Sequence, residues 1–455
     1  MADRTLVPGT RALVVFCASL ALLAAGCGEQ GDHGRPSPSK DGGNPVSTPT
    51  ASRPVPADGK GSKDPDDING DGHRDLLLPL ASRDSKKEVG RTAVVFGSAK
   101  GLDPSTHAVY DYRSGTVTTA DLDGDGYPDF VATDEPRRPE RLTVDWGGPS
   151  GPKPGVGATR IQAPDGGLGS GLHGPVRGDF DGDGHHDIAA VRQDGSVTLV
   201  YGPVTRSGVP ARTDTRPGRG NWLAADDIDP SGKAHATALL IHEGDDGEQS
   251  GGVLYWARTG SGLSRTPITL REGNGAAFGD YDGDGATDLA IGDDGGRNDE
   301  PDTDESPEVI ASLAVYPGKG GDPLTYKIPQ SRNSEFGPGG YTSADPDGDG
   351  KDSLLVATDT GALLIDGEKD RTEVLREGPA RVKDRKTQAR WRHARPFAAA
   401  DFDGDGKEEL ILHWAIDVLF ALYGEQPTHW WITDGTSSRD KTAFTTTSFA
   451  GRRRG

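Results

Sequence analysis

The chain reads as an all-β protein, a seven-bladed β-propeller with Asp-rich loops between strands 1 and 2 of its blades. Three observations predict this. A nine-residue Asp-rich loop recurs seven times, starting at Asp67, Asp121, Asp179, Asp227, Asp280, Asp345 and Asp401. Successive starts lie 54, 58, 48, 53, 65 and 56 residues apart, which suits a four-stranded blade of roughly 40 to 50 residues plus its loops. Each loop is followed by a short apolar run closed by turn residues, such as Asp75 to Leu80 or Asp187 to Val191, which has the length of a strand and not of a helix.

Composition bounds the rest. With 455 residues, 50 Lys and Arg against 71 Asp and Glu, and a net charge of −21, the surface would repel phosphates, so nucleic acid is excluded as a partner. The hydrophobic fraction of 32% is augmented by 67 glycines, enough apolar material for a core.

Residues 1–26 have the layout of a lipoprotein-type export signal: Arg4 and Arg11 precede an apolar run from Ala12 to Ala25, too short to cross a bilayer. Leu22-Leu23-Ala24-Ala25-Gly26-Cys27 resembles the lipobox of bacterial lipoproteins, with Ala24 where that family usually has Leu. The resemblance implies lipidation at Cys27, export, and a membrane held only through the N-terminal lipid, on the extracytoplasmic face. Cys17 lies in the removed segment, so no disulfide is expected. Residues 27–66 read as a disordered tether, because Gly28 to Asp66 holds seven Pro and seven Gly in 39 residues.

From 67 to 455 each unit reads alike. A strand precedes the loop (Gly115 to Ala120, Gly174 to Gly178, Ala398 to Ala400), a second strand follows it, and a third comes after a turn (Thr92 to Phe96, Val197 to Tyr201, Leu313 to Tyr316). Thr428 to Ile432 is expected as a fourth strand. Blade 1 has no strand before its loop, and the β-prone Thr442 to Ala450 is expected to pair into it and close the ring, removing two open edges.

The loops carry oxygen donors at alternate positions and Gly where the backbone turns, which is what a hard cation taking six to eight oxygens requires. The expected ligands are Asp67, Asn69, Asp71, His73 and Asp75 in loop 1; Asp121, Asp123, Asp125, Tyr127 and Asp129 in loop 2; and Asp179, Asp181, Asp183, His185 and Asp187 in loop 3. Loop 5 offers Asp280, Asp282, Asp284, Ala286 and Asp288; loop 6, Asp345, Asp347 and Asp349; loop 7, Asp401, Asp403, Asp405, Lys407 and Glu409. Loop 4 has Ser231 at position 5 and His235 at position 9, and is expected to bind no ion. About five to six Ca²⁺ ions are therefore expected. These are not EF-hands, since position 12 is apolar in every copy (Leu78, Ala132, Ala190, Ala238, Ile291, Val356, Leu412) and cannot supply the bidentate Glu.

The pattern resembles the FG-GAP/VCBS repeats of the integrin α-subunit propeller and its bacterial relatives. Phe278-Gly279 keeps the Phe-Gly pair, which most blades lack. The resemblance implies calcium-stabilised blades and a binding role. The loops between strands 2 and 3 vary most: Ala81 to Arg91, Thr133 to Arg141, His242 to Gly252 and Gly292 to Ala311 are long, and those of blades 3 and 6 are short. Such loops on a rigid scaffold carry recognition, so the face away from the Asp-rich loops is expected to bind the partner. The acidic stretch Asp293 to Glu308 reads as a solvated loop, His185-His186 as solvent-facing, and Trp391, Trp430 and Trp431 as packing residues before a sugar platform.

No Gly-x-Ser-x-Gly, His-Glu-x-x-His or Walker motif occurs, and no catalytic residue is assigned. The chain is read as a monomeric, lipid-anchored, surface-exposed binding or adhesion module for an extracellular protein or glycan. The alternatives are an enzyme of lyase or dehydrogenase type with its site in the propeller channel, and a lectin.

Overall fold

In the computed structural model, the described residues are 46–49 and 59–449, apart from 81–90, 112–116, 134–139, 154–155, 163–170, 245–247, 259, 298–304, 330–338, 383–384 and 416–426. The export signal and Cys27 lie outside them. No helix among the described residues is long and apolar enough to cross a membrane.

Among the described residues, seven antiparallel sheets of three or four strands follow one another along the chain, with two small two-stranded hairpins besides. Blade 1 comprises Leu76–Leu80, Arg91–Val95 and His107–Asp111, three strands among the described residues. Blades 2 to 7 have four strands each, starting with Val117–Ala120, His173–Gly178, Trp222–Ala225, Gly275–Gly279, Tyr341–Ala344 and Arg395–Ala400. In each four-stranded blade sequence order is spatial order, a simple meander from the first, inner strand outward.

Burial explains the sequence pattern. The second strands Asp129–Thr133, Asp187–Val191 and Asp288–Gly292 are buried at every position, because neighbouring blades cover both faces and leave no polar side for alternation. Outer strands such as Arg212–Arg216 and Leu324–Lys327 are largely exposed and carry charge, which discourages edge-to-edge pairing.

The ring is not closed as expected. Asp440–Thr445 pairs with His429–Thr433 and is the fourth strand of blade 7 itself. Accordingly, the segment placed at Thr428 to Ile432 is the third strand of that blade, paired with Glu409–Trp414. Hairpin pairing with the neighbouring strand wins over the long-range alternative because it closes a much shorter loop. The C-terminus reaches blade 1 through side chains: Phe449 stacks on His107 at 3.7 Å between ring centroids. Leu76, Leu78 and Val95 of blade 1 share one core cluster with Ile411, Trp430, Phe444 and Phe449.

The end of the expected tether also departs from that reading. Ser47 donates to Ala443 O and accepts from Thr445 N, each at 2.8 Å, laying a parallel bridge along the outer edge of blade 7. Further on, Gly61 N donates to Gly70 O and Ser62 N to Gly126 O. Pro and Gly cannot build a core, yet backbone amides and the carboxylates of Asp64 and Asp66 find partners on the propeller, Asp64 on Arg74 and Asp66 on Arg177.

Candidate metal centres

The loops are shaped by their own carboxylates. At position 1, Asp179 accepts the amides of Gly182, Asp183 and Gly184 at 2.8, 3.0 and 3.0 Å, and Asp401 accepts those of Gly404, Asp405 and Gly406 at 2.7, 3.2 and 2.9 Å. The backbone must turn back on itself to present those amides, and Gly182 and Gly184 do so at φ of 75° and 85°, a region that glycine enters freely. Position 5 accepts the position-7 amide, as Asp183 does from His185 at 2.8 Å. His73, Tyr127, His185, Ala286 and Lys407 each give their backbone amide to the position-5 carboxylate.

Position 9 joins the loop to the blade. Oδ2 of Asp75, Asp129, Asp187 and Asp288 accepts the amide of the buried or half-buried position-2 residue, at 2.9, 3.0, 2.8 and 3.1 Å. Oδ1 of the same four accepts the amide of a glycine beyond the third strand, Gly97, Gly147, Gly202 or Gly318, at 2.8 Å each. These glycines were not anticipated from sequence, because they lie 22, 18, 15 and 30 residues after position 9, a spacing blurred by the variable loops. They must be glycine: a Cβ on Gly147 would stand 2.4 Å from Pro128 O, and one on Gly202 2.5 Å from His186 O.

Carboxylates of positions 1, 3 and 9 come within 4.8 Å of one another in blades 2, 3, 5 and 7: Asp121, Asp123 and Asp129; Asp179, Asp181 and Asp187; Asp280, Asp282 and Asp288; Asp401, Asp403 and Glu409. In blade 6 the convergent set is Asp345, Asp347 and Asp349, because Ser353 holds position 9. In blade 1 the Asn69 amide donates to Asp71 at 3.0 Å beside the buried Asp67 and Asp75. In blade 4 Asp229 accepts the Ser231 amide at 2.9 Å, and His235 lies 3.8 Å from Asp226.

The donor set fits a hard divalent cation. Asp121 Oδ1, Asp181 Oδ1 and Asp403 Oδ1 are buried without a hydrogen-bond partner, and a carboxylate oxygen that accepts one amide retains a second lone pair. Burial pushes Asp129 up to about 8 and Asp288 up to about 6, with the other loop carboxylates adding to the rise. Burial likewise drives Asp75 and Asp187 well upward. Each is the signature of negative charge packed without enough positive charge beside it. A cation of +2 taking oxygens at about 2.3 to 2.6 Å would supply it.

Position 8 latches one blade to the next. Asp121 N donates to His186 Nδ1 at 2.8 Å, Asp280 N to Asp352 Oδ2 at 2.7 Å, and Asp345 N to Glu408 Oε2 at 3.0 Å. In blade 4 Thr237 Oγ1 does the same for Asp179 N at 2.9 Å. His186 is thus buried and not solvent-facing, whereas His185 is exposed.

Inside the ring, Arg177 grips Asp66 with two hydrogen bonds of 2.6 and 2.7 Å and Thr119 Oγ1 with one of 2.6 Å. Burial raises the Asp66 carboxyl, but the guanidinium outweighs it and brings the group to about 2. A cavity of about 380 Å³ opens beside this pair, lined also by Val176, Asp226 and Asp227. The acidic stretch of blade 5 starts ordered: Asp293 is fully buried, held by both arms of Arg297 at 2.8 Å and by Ala311 N. The solvated-loop reading therefore fails for Asp293 and for Asp294, which Gln249 binds at 2.7 Å. Trp430 and Trp431 are core residues.

Fold and loops together define a seven-bladed propeller with repeated acidic loops, five of which bring together three carboxylates that could hold a metal ion. Within it, residues 67–132 match the family model described as FG-GAP-like repeat, and the loops of the later blades repeat the same pattern. No curated protein matches the chain. Among solved structures it is similar to BBS1N, crystallised in complex with ARL6DN, at 11% identity and a TM-score of 0.41, covering 84% of this chain and 97% of that one. It is similar to the biofilm matrix protein Bap1 of V. cholerae at 11% identity and a TM-score of 0.32, covering 80% and 87%. The exotype rhamnogalacturonan lyase YesX aligns at 17% identity and a TM-score of 0.41, covering 81% and 73%.

Proposed function

We propose that this protein is an exported, lipid-anchored binding module whose blades are stiffened by calcium and whose partner is an extracellular protein or glycan. The observation that carries the reading is the convergence of three carboxylates in each of five loops, partly buried in four of them and with an unpartnered buried oxygen in three. Such groups repel one another without a cation and coordinate one with it, so the ion's contribution is structural. Outside the cell, where modules of this sort hold calcium with Kd of about 10⁻⁴ to 10⁻³ M, several of the loops would be filled. The partner is assigned to the long loops between strands 2 and 3 of blades 1, 2, 4 and 5, much of whose length lies outside the described residues. The test is capture of surface proteins and a glycan array, both with the full-length protein in detergent, with calcium and with chelator. Binding that is saturable and calcium-dependent supports the reading, and its absence from both assays contradicts it.

One observation favours a second reading, a small-molecule site in the channel. The cavity beside Asp66 and Arg177 also carries Asp227, which is open to solvent yet has its carboxyl pushed upward by desolvation among the surrounding ring atoms. Asp66 is locked by Arg177 and stays ionised, so Asp227 is the group with chemistry to offer. A turnover assay in which Asp227→Asn alone abolishes activity, with the fold intact, would establish this reading over the first.

A further inference from the structure

Blade 7 departs from the other cages, and its departure rests on the reading of the loops as cation sites. In four copies Oδ1 of the position-9 Asp is taken by a glycine amide. Blade 7 has Glu409 there: its Oε2 accepts the Phe402 amide at 2.9 Å, like every Oδ2 at that position, while its Oε1 meets Lys441 Nζ. Lys441 comes from the outer strand Asp440–Thr445 of the same blade. Its ammonium also lies 2.6 Å from Asp403 Oδ2 and 3.4 Å from Asp405 Oδ2. It thereby touches positions 3, 5 and 9, the oxygens expected to ligate an ion.

Other loops have basic neighbours, but these sit at the rim. Arg206 reaches Asp123 and Asp125 and leaves Asp129 untouched, at 55% side-chain exposure. Arg212 holds only Asp181, at 2.5 Å, and lies over the Tyr201 ring at 3.3 Å. Lys319 meets only Asp284, at 60% exposure. Among the described residues, Lys441 is the one basic side chain bound to three positions of a single loop, and it is 25% exposed.

We infer that the seventh loop takes the Lys441 ammonium as its resident cation in place of a metal ion. A calcium ion needs oxygens at about 2.3 to 2.6 Å from one centre, and an ammonium within hydrogen-bonding distance of two of those oxygens occupies that centre. The two cations exclude each other by volume and by charge. Asp403 Oδ1, unpartnered and buried, has its lone pairs free to ligate an incoming ion once the lysine is gone. The longer Glu409 side chain, whose Oε1 meets Lys441 Nζ and no glycine amide among the described residues, belongs to the same exchange. Blade 7, which packs against blade 1 where the ring closes, then keeps its loop when calcium is scarce.

The test counts calcium bound per full-length chain in detergent by equilibrium dialysis, beside thermal melts. Lys441→Met should bind one ion more than the wild type, and Asp403→Asn in that background should lose it again. Lys441→Met with an unchanged count overturns the inference. If Lys441→Met does not fold, Asp403→Asn in the otherwise native chain decides: an unchanged count supports a resident ammonium, and loss of one ion overturns it. A wild type that binds no calcium while Lys441→Met binds one would contradict the calcium-stabilised module and leave this inference standing.

Discussion

Asp352 of blade 6 and Asp280 of blade 5 are joined twice: Asp280 N donates to Asp352 Oδ2 at 2.7 Å, and Asp352 N donates to Asp280 O at 2.9 Å. The same pair of bonds links Glu408 to Asp345, at 3.0 and 2.9 Å. Each latch fixes the first residue of one Asp-rich loop to the last turn of the next, so cage geometry and blade spacing are one structural property. Asp352→Ala should lower stability by about 1 to 3 kcal/mol, since it leaves the Asp280 amide without its acceptor. Asp352→Asn, which keeps an oxygen in place, should cost less. Urea midpoints of the two variants measure the difference.

The third latch titrates. His186 accepts the Asp121 amide on Nδ1, so its ring must be neutral. Burial, with Arg177, Lys63 and His185 nearby and Asp66 opposing, lowers its pKa to about 4 from an unperturbed value of 6.5. A histidine depressed in the folded state contributes stability that is complete above the unfolded value and is lost as pH falls from there toward the folded one. His413, lowered to about 3 by burial and Arg395, and His429, lowered to about 4 by burial, act in the same direction. The calcium-loaded protein should therefore lose stability between pH 6.5 and 4, and His186→Asn should flatten that limb. Thermal melts across this range check it.

Glycines behind position 9 make a steric prediction. Gly318→Ala would place a Cβ 2.2 Å from Thr287 O, a backbone clash that cannot be relieved by a rotamer. It should cost about 1 to 3 kcal/mol, whereas Gly320→Ala, with open space around it, should cost less and act only through its positive φ. Comparing denaturation midpoints of the two variants separates packing from conformation.

At the seam between blades 1 and 7, Phe449→Ala removes a buried ring stacked on His107 and should cost about 3 to 5 kcal/mol. Deleting residues 441–455 removes most of the outer strand of blade 7 as well as Phe449, and should be far more damaging than the point change. A melting temperature unaffected by that deletion would exclude any role for the C-terminus in closing the ring.

Much of this was legible in the sequence. Seven Asp-rich copies gave blade number, loop position and the buried second strands, because the cage chemistry needs acids and glycines at set spacings. Less legible were contacts that depend on a neighbouring blade. His186, Asp352 and Glu408 sit at a position that varies in residue type, since any acceptor of the right reach can take the amide. The C-terminal strand was misplaced because β propensity names a strand without naming its partner. Lys441 lies 32 residues beyond Glu409, and its charge looks like any surface lysine until the strand brings it over the loop.

The most direct test of the central claim, that these loops cage divalent ions, is thermal unfolding of the full-length protein in 1 mM calcium and in EGTA, with bound calcium counted in parallel. Each filled site should add about 0.4 to 1.4 kcal/mol at that concentration for Kd of about 10⁻³ to 10⁻⁴ M. The predicted result is several ions per chain and a melting temperature that falls in EGTA and recovers when calcium is restored. No bound ion, together with the same melting temperature in both buffers, would contradict it.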